Sequence, residues 1–177
     1  LNIVNAARRY VYITTPYLIV DHALMTALCL AAKSGVDVRV ITPRHWDKLV
    51  VHMTTRSYYD ELVSAGVRVF EYLDGFMHAK TFVSDDAVAV VGTTNMDFRS
   101  LYLHYECGAV LYGGKAVLDV RDDFERTLGR CDAVSPGEYR PRGVLGRLCL
   151  QVLRLFAPLL SRRDAVIMTA RRRYYDG

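Results

Sequence analysis

Met77-His78-Ala79-Lys80-Thr81-Phe82-Val83-Ser84-Asp85, with Gly92-Thr93-Thr94-Asn95 six residues further on, decides how this chain of 177 residues is read. The run 77–84 and the apolar run Ala87 to Val91 read as two strands joined at Asp85 and the turn residue Asp86. Side chains alternate faces along a strand, so His78 and Lys80 point the same way and Asp85, at odd offset, points the other. One face then offers an imidazole beside a fixed cation, which suits phosphoryl chemistry on a diester anion. The candidate catalytic residues are His78, Lys80 and Asp85, the last as a support at the strand end rather than a reactant.

Gly92 closes the second strand, and the following loop would project the Thr93 hydroxyl and the Asn95 amide beside His78. Uncharged donors can hold phosphate oxygens without adding a competing titration. Lys80, Thr93 and Asn95 are therefore the candidate phosphate-binding set, although Thr93 also reads as plain turn chemistry. Glu106 lies in a strand-like run from Leu103 to Leu111. A glutamate there can serve the site or be an ordinary ion-pair member.

The pattern His-x-Lys-x4-Asp-x6-Gly-Thr-x-Asn resembles the signature of the phospholipase D superfamily. Beyond the motif, the order of features is similar to the second half of the bacterial cardiolipin synthases. Tyr12-Ile13-Thr14-Thr15-Pro16-Tyr17, Ser34-Gly35-Val36-Asp37-Val38, Ser57-Tyr58-Tyr59-Asp60-Glu61-Leu62 and Gly92-Thr93-Thr94-Asn95-Met96-Asp97-Phe98-Arg99-Ser100 carry that similarity, which reaches to about Leu160. It implies transfer of a phosphatidyl group from one phosphatidylglycerol to another through a phosphohistidine, with release of glycerol and no metal or other cofactor. It also implies that Glu106 orients the far nitrogen of the catalytic imidazole, fixing its tautomer. Such an active site forms where two motif-bearing halves meet. None of His22, His45, His52 and His104 has lysine two residues on, so the other motif is expected from a missing N-terminal half or a second copy. The chain alone is expected to be inactive, with the choice of His78 as nucleophile or general acid left open.

Strand and helix patterns alternate early: a strand from Arg9 to Thr15, a helix from His22 to Lys33 capped by Asp21, a strand from Val36 to Ile41, a helix from about Asp47 to Ala65, and a strand from Val67 to Tyr72. Consecutive strands and a helix over Lys115 to Leu128 follow. The expected class is α/β, a mixed β-sheet layered with helices on its faces and phospholipase D-like by resemblance, plus a C-terminal amphipathic helix. Tyr58, Tyr59 and Phe70 read as core or pocket wall, and Trp46 as a loop residue near the mouth. The opening residues read as a helix entered midway, as in a piece of a longer chain. Cys29, Cys107, Cys131 and Cys149 have no metal spacing and read as reduced, buried thiols.

Charge divides the chain. Residues 1–139 hold 14 Lys and Arg against 17 Asp and Glu, whereas 140–177 hold nine arginines against Asp164 and Asp176. The expected division is a catalytic domain over 1–135 and a basic, membrane-associating tail over 136–177. Arg147, Gln151 and Arg154 fall on one helical stripe of the tail, and an arginine at mid-bilayer costs roughly 2.5–3.5 kcal/mol. A helix lying on an anionic membrane, arginines toward phosphates, fits better than a span, and packing against the domain itself is the competing reading. Phosphatidylglycerol and an anionic surface on the cytoplasmic side of a bacterial cell membrane are thus the expected partners. No nucleic acid is expected, because the main domain lacks a basic stripe. The alternatives are a phospholipase D-like phosphodiesterase or nuclease working as a homodimer, and a non-catalytic lipid-binding half.

Overall fold

The computed structural model describes residues 1–140, 143–146, 148 and 150–155. Its centre is a seven-stranded mixed sheet. Strand β1 (Tyr10–Thr14) runs parallel to β3 (Asp37–Pro43), and β3 parallel to β4 (Arg68–Tyr72). On the other side of β1, the strands β5 (Thr81–Ser84), β6 (Val88–Gly92) and β8 (Gly108–Tyr112) follow in antiparallel order. The short β9 (Cys131–Ala133) closes the β4 edge. A separate two-stranded ribbon pairs β2 (Leu18–Ile19) with β7 (Met96–Asp97).

Both faces are covered, which is why every residue of β1 is buried. Val11, Ile13, Val38 and Val40 pack under α2 (His22–Lys33), α3 (Leu49–Ser57) and α4 (Tyr59–Ser64), with α1 (Asn2–Ala6) at the rim. Tyr10, Tyr12, Ile41, Val83 and Ala89 face the opposite layer, formed by Val117 and Phe124 of α5 (Gly114–Leu128). The expected α/β layering is what the chain adopts.

Three expected elements are corrected. The helix expected over 47–65 breaks at Tyr58, and the break lets Tyr58 and Tyr59 both turn inward, the Tyr59 hydroxyl meeting Thr42 at 2.6 Å. The motif strand starts at Thr81 rather than 77, because its partner β1 ends at Thr14 opposite Thr81, just ahead of Pro16. The strand expected over 103–111 splits into a π-helical segment, Arg99–Leu103, a short loop holding Glu106, and β8. Cysteines also depart from expectation: Cys107 is exposed, Cys29 and Cys131 are half-buried, and Cys149 lies outside the described residues.

The boundary at Ser135 cuts through contacts. Tyr139 donates to buried Glu71 at 2.9 Å, Arg56 makes two bonds to the same carboxylate at 2.8 and 2.9 Å, and the Arg56 guanidinium lies 4.4 Å from the Tyr139 ring centre. In the tail, Arg154 turns inward: it bonds the Ser57 hydroxyl at 3.2 Å, the Ser57 carbonyl, and Glu61 at 3.0 Å, over the Tyr58 ring. Its expected orientation toward lipid phosphates is therefore corrected; Arg147 lies outside the described residues. No helix among the described residues is long and apolar enough to cross a membrane.

Candidate active site

Where β5 loses its β1 neighbour, residues 77–80 continue as extended chain, and this segment carries the reactive side chains. Lys80, 8% exposed, folds its amine back onto His78, at 2.9 Å from Nδ1 and 2.6 Å from the His78 carbonyl oxygen. The same-face relation expected of the two residues is present even without a regular strand. Burial, then the Lys80 charge, hold the His78 pKa below its ordinary value, with Asp47 opposing. Burial likewise lowers the Lys80 pKa, against the pull of Glu106 and Asp97. On one side the imidazole faces Phe76, 5.8 Å between ring centres, and Phe76 faces Tyr17 at 6.4 Å. A cleft of about 680 Å³ beside this segment is lined by Met77, Ala79 and Thr81, the residues alternating with the reactive pair.

The loop after β6 is held by close approach. A Cβ on Gly92 would stand 2.5 Å from the Cys107 oxygen and 2.7 Å from the Gly108 Cα, so only glycine fits. Thr93 accepts from the Cys107 N–H at 3.0 Å and donates to Glu106. Thr93 is therefore tied to the loop that carries Glu106. The β2–β7 ribbon then fixes the far end of the loop, with the Met96 N–H donating to Thr15 at 3.1 Å. Asn95 donates to Ser100 at 3.2 Å, while its carbonyl oxygen is buried and has no partner among the described residues.

Glu106 makes no hydrogen bond to His78 among the described residues; Nδ1, where an orienting carboxylate would sit, is occupied by Lys80. Although burial works to raise it, hydrogen bonds from Thr93 and Ser100 set the Glu106 pKa below the usual range. The expected direct contact is thus replaced by one at a remove, through the Lys80 charge. Asp85 is also separate from the reactive pair. It sits at the opposite end of β5, with φ of 55°, and accepts the N–H groups of Arg8, Arg9 and Tyr10 at 2.7, 2.9 and 2.8 Å. Its grouping with His78 and Lys80 is corrected: the carboxylate fixes the start of β1 to the end of β5.

Asp97 and Ser100 belong to the site and were not among the expected residues. Asp97 is buried, accepts the Ser100 N–H at 2.8 Å and has its pKa raised chiefly by burial. The signal was present as Asp-x-x-Ser, the spacing of a side-chain cap at a helical turn. The π-helical turn it caps places Ser100 between Asn95 and Glu106, a location typical of such irregular turns.

Residues 1–128 match the family described as cardiolipin synthase, PLD-like domain. A cardiolipin synthase of Halalkalibacterium halodurans is 39% identical over 159 residues, 90% of this chain and 32% of that protein. Among solved structures, the phosphatidylserine synthase of Haemophilus influenzae Rd KW20 is similar at TM-score 0.68 and 16% identity, covering 94% of this chain and 42% of that one. The phospholipase D family member Nuc from Salmonella typhimurium is similar at TM-score 0.65 and 15% identity, covering 75% and 86%. The chain spans about a third of the length of the curated relatives it matches. With its motif, its fold and this match over most of its length, the chain belongs to the phospholipase D-like domain family of the cardiolipin synthases.

Proposed function

We propose that the chain is the second catalytic half of a phosphatidyltransferase that condenses two phosphatidylglycerol molecules into cardiolipin and releases glycerol. One observation carries the assignment of roles: the Lys80 amine lies 2.9 Å from His78 Nδ1. An ammonium group has only donors, so Nδ1 accepts and the ring proton resides on Nε2. With its pKa lowered, the ring is neutral at rest. An arriving phosphodiester anion draws Lys80 to its own oxygens, frees Nδ1 and favours the imidazolium. His78 is then the general acid. It gives a proton to the glycerol oxygen as that oxygen leaves phosphorus, while a histidine of the other half forms the new bond to phosphorus. In the second step His78 takes the proton of a hydroxyl on the second phosphatidylglycerol, which displaces the histidine. Lys80 and Asn95 stabilise the equatorial oxygens in both steps. Glu106 and Asp97 keep Lys80 charged against its burial and so act as positioning residues.

The other half, or a second copy, would supply the first motif. Supporting this, Leu101, Tyr102, Leu103 and Tyr105, next to Glu106, are all exposed, an apolar surface of the sort that packs against another domain. The basic tail and the lipid substrate support a place at the anionic, cytoplasmic surface of a bacterial membrane, bound peripherally. Metal and nucleic acid have no part in this reading.

The test is turnover of phosphatidylglycerol by the chain alone and mixed with a separately made half bearing a first His-x-Lys motif. Cardiolipin and glycerol should form in the mixture, and His78→Ala should abolish both. Phosphatidic acid in place of cardiolipin would make the chain a hydrolase. Activity from the chain alone, rising with the square of its concentration, would favour the homodimer.

A further inference from the structure

The loop after β3 and the first turns of α3 expose a run of large apolar side chains: Trp46, Leu49, Val50 and Met53 are each between 45% and 57% exposed. On the same helix His52, Thr54 and Thr55 are buried, so α3 shows the core a partly polar face and shows solvent its apolar one, the reverse of an ordinary surface helix. A face of this kind is built for something other than water.

The geometry points to this face as a membrane-inserting surface at the mouth of the active site, with lipid acyl chains as its occupant. Two connections single out lipid. First, the patch joins the site through aromatic rings. Asp47, next to Trp46, accepts from the Tyr17 hydroxyl, the Tyr17 ring meets Phe76, and Phe76 meets His78. A lipid whose phosphate lies at His78 and Lys80 must lead its acyl chains away from the site, and this apolar surface adjoins the route. Second, buried Ser57 at the end of α3, one turn beyond Met53, is where Arg154 of the tail is lodged. With Arg154 turned in, the tail shows solvent Leu145, Leu148, Val152 and Leu155, between 56% and 81% exposed apart from Val152 at 45%. Those four recur at i, i+3, i+7 and i+10, one side of a helix. Two helices clamped together thus each leave an apolar stripe unburied. The tryptophan beside the mouth suits the headgroup boundary, where an amphipathic ring has its apolar and polar edges in matching surroundings. The proposal rests on His78 acting on a lipid phosphodiester and names the surface by which that lipid is approached.

Trp46 is the single tryptophan of the chain, so its emission reports this surface alone. The full chain is mixed with vesicles of phosphatidylglycerol and phosphatidylcholine, with and without brominated acyl chains. Trp46 emission should move to shorter wavelength and be quenched by bromine near the headgroup end of the chains. The quenching should persist at high salt, because the face holds it by apolar contact. Leu49→Glu and Met53→Glu, both at exposed positions, should each weaken the partitioning on the order of tenfold, as a charge set into the interface would. Co-sedimentation without any change at Trp46 would overturn the proposal and leave binding to the tail. An emission shift that follows protein concentration in the absence of lipid would also overturn it, in favour of a second copy as the occupant. Turnover of phosphatidylglycerol in the mixture with the other half, where the chain by itself shows no quenching, defeats this surface and spares the reaction; quenching of the chain by itself, where that mixture gives no turnover, spares the surface and defeats the reaction.

Discussion

The two ends of strand β5 carry the same motif and are built on opposite terms. At its far end Asp85 fills its lone pairs with three backbone N–H groups, and Asp86 next to it is held by Tyr10, Arg9 and Arg121 at 2.9, 2.8 and 2.7 Å. At its near end the bonds are provisional: Lys80 is spent on His78, and a buried Asn95 oxygen has no donor among the described residues. Buried polar groups are normally satisfied, so an Asn95 oxygen without a donor among the described residues leaves this end incomplete in a way the far end is not. One spacing of residues therefore joins a finished joint to an unfinished site. The joint holds the geometry that the site leaves incomplete.

Substitutions at the two ends should separate these roles. The largest effect belongs to the near end: His78→Ala should lower phosphatidyl transfer by roughly 10²–10⁴-fold or more, as expected for loss of an acid–base group, with little change in thermal midpoint because the side chain is exposed. Asp85→Ala should do the reverse. Three N–H groups lose their acceptor, at about 1–3 kcal/mol for each one left unsatisfied, though water can reach part of this turn. A net loss of about 2–3 kcal/mol would lower the midpoint by roughly 4–12 °C. Turnover measured well below that midpoint should remain near the parent level. If Asp85→Ala removed activity from folded protein, the division between joint and site would be lost.

Much of this was legible before any coordinates. The alternation of strand and helix patterns from Arg9 to Tyr72 gave a mixed sheet with helices on its faces, and period two put His78 and Lys80 on one side. What could not be read was anything set by a neighbour distant in sequence. The motif strand is short because β1, some 70 residues earlier, ends at Thr14. Glu106 looked like a strand residue because Leu103 to Leu111 alternate; the chain is diverted by a π-helical turn that Asp97 caps and that Tyr102 ties to Asp21. Arg154 was read as facing lipid because amphipathicity tells which residues share a side and not which side meets the domain.

Acid unfolding sharpens the joint further. Burial works to raise the Asp85 pKa, but the three N–H bonds outweigh it and leave the folded value below the usual one. A depressed carboxyl contributes stability that is fully present above the unfolded value, about 3.9, and is lost as pH falls through the folded value. Asp85→Asn should therefore cost stability near neutral pH and lose less than the parent on descent below about pH 4. Urea unfolding at a series of pH values measures both limbs, and parallel limbs for the two proteins would mean that the carboxylate is not held as described.

The smallest expected effect probes the unfinished end directly. In the resting chain Lys80 both donates to His78 Nδ1 and repels a proton there, and burial adds to that in the same direction, so the imidazole should titrate below its ordinary value. Lys80→Met removes the charge and the donor while keeping an unbranched side chain in the buried position. The His78 midpoint, followed by NMR of the ring protons, should then rise, yet stay under its ordinary value because partial desolvation of the ring is the larger cause. A soluble phosphodiester should raise the midpoint in the parent by the same logic, since it attracts Lys80 and adds negative charge, and should do less in Lys80→Met. Asp85→Asn, at the other end of β5, should leave the titration where it is. A midpoint unmoved by Lys80→Met would mean that the amine does not rest on Nδ1 in solution, and the tautomer that makes His78 the acid in this half would lose its support.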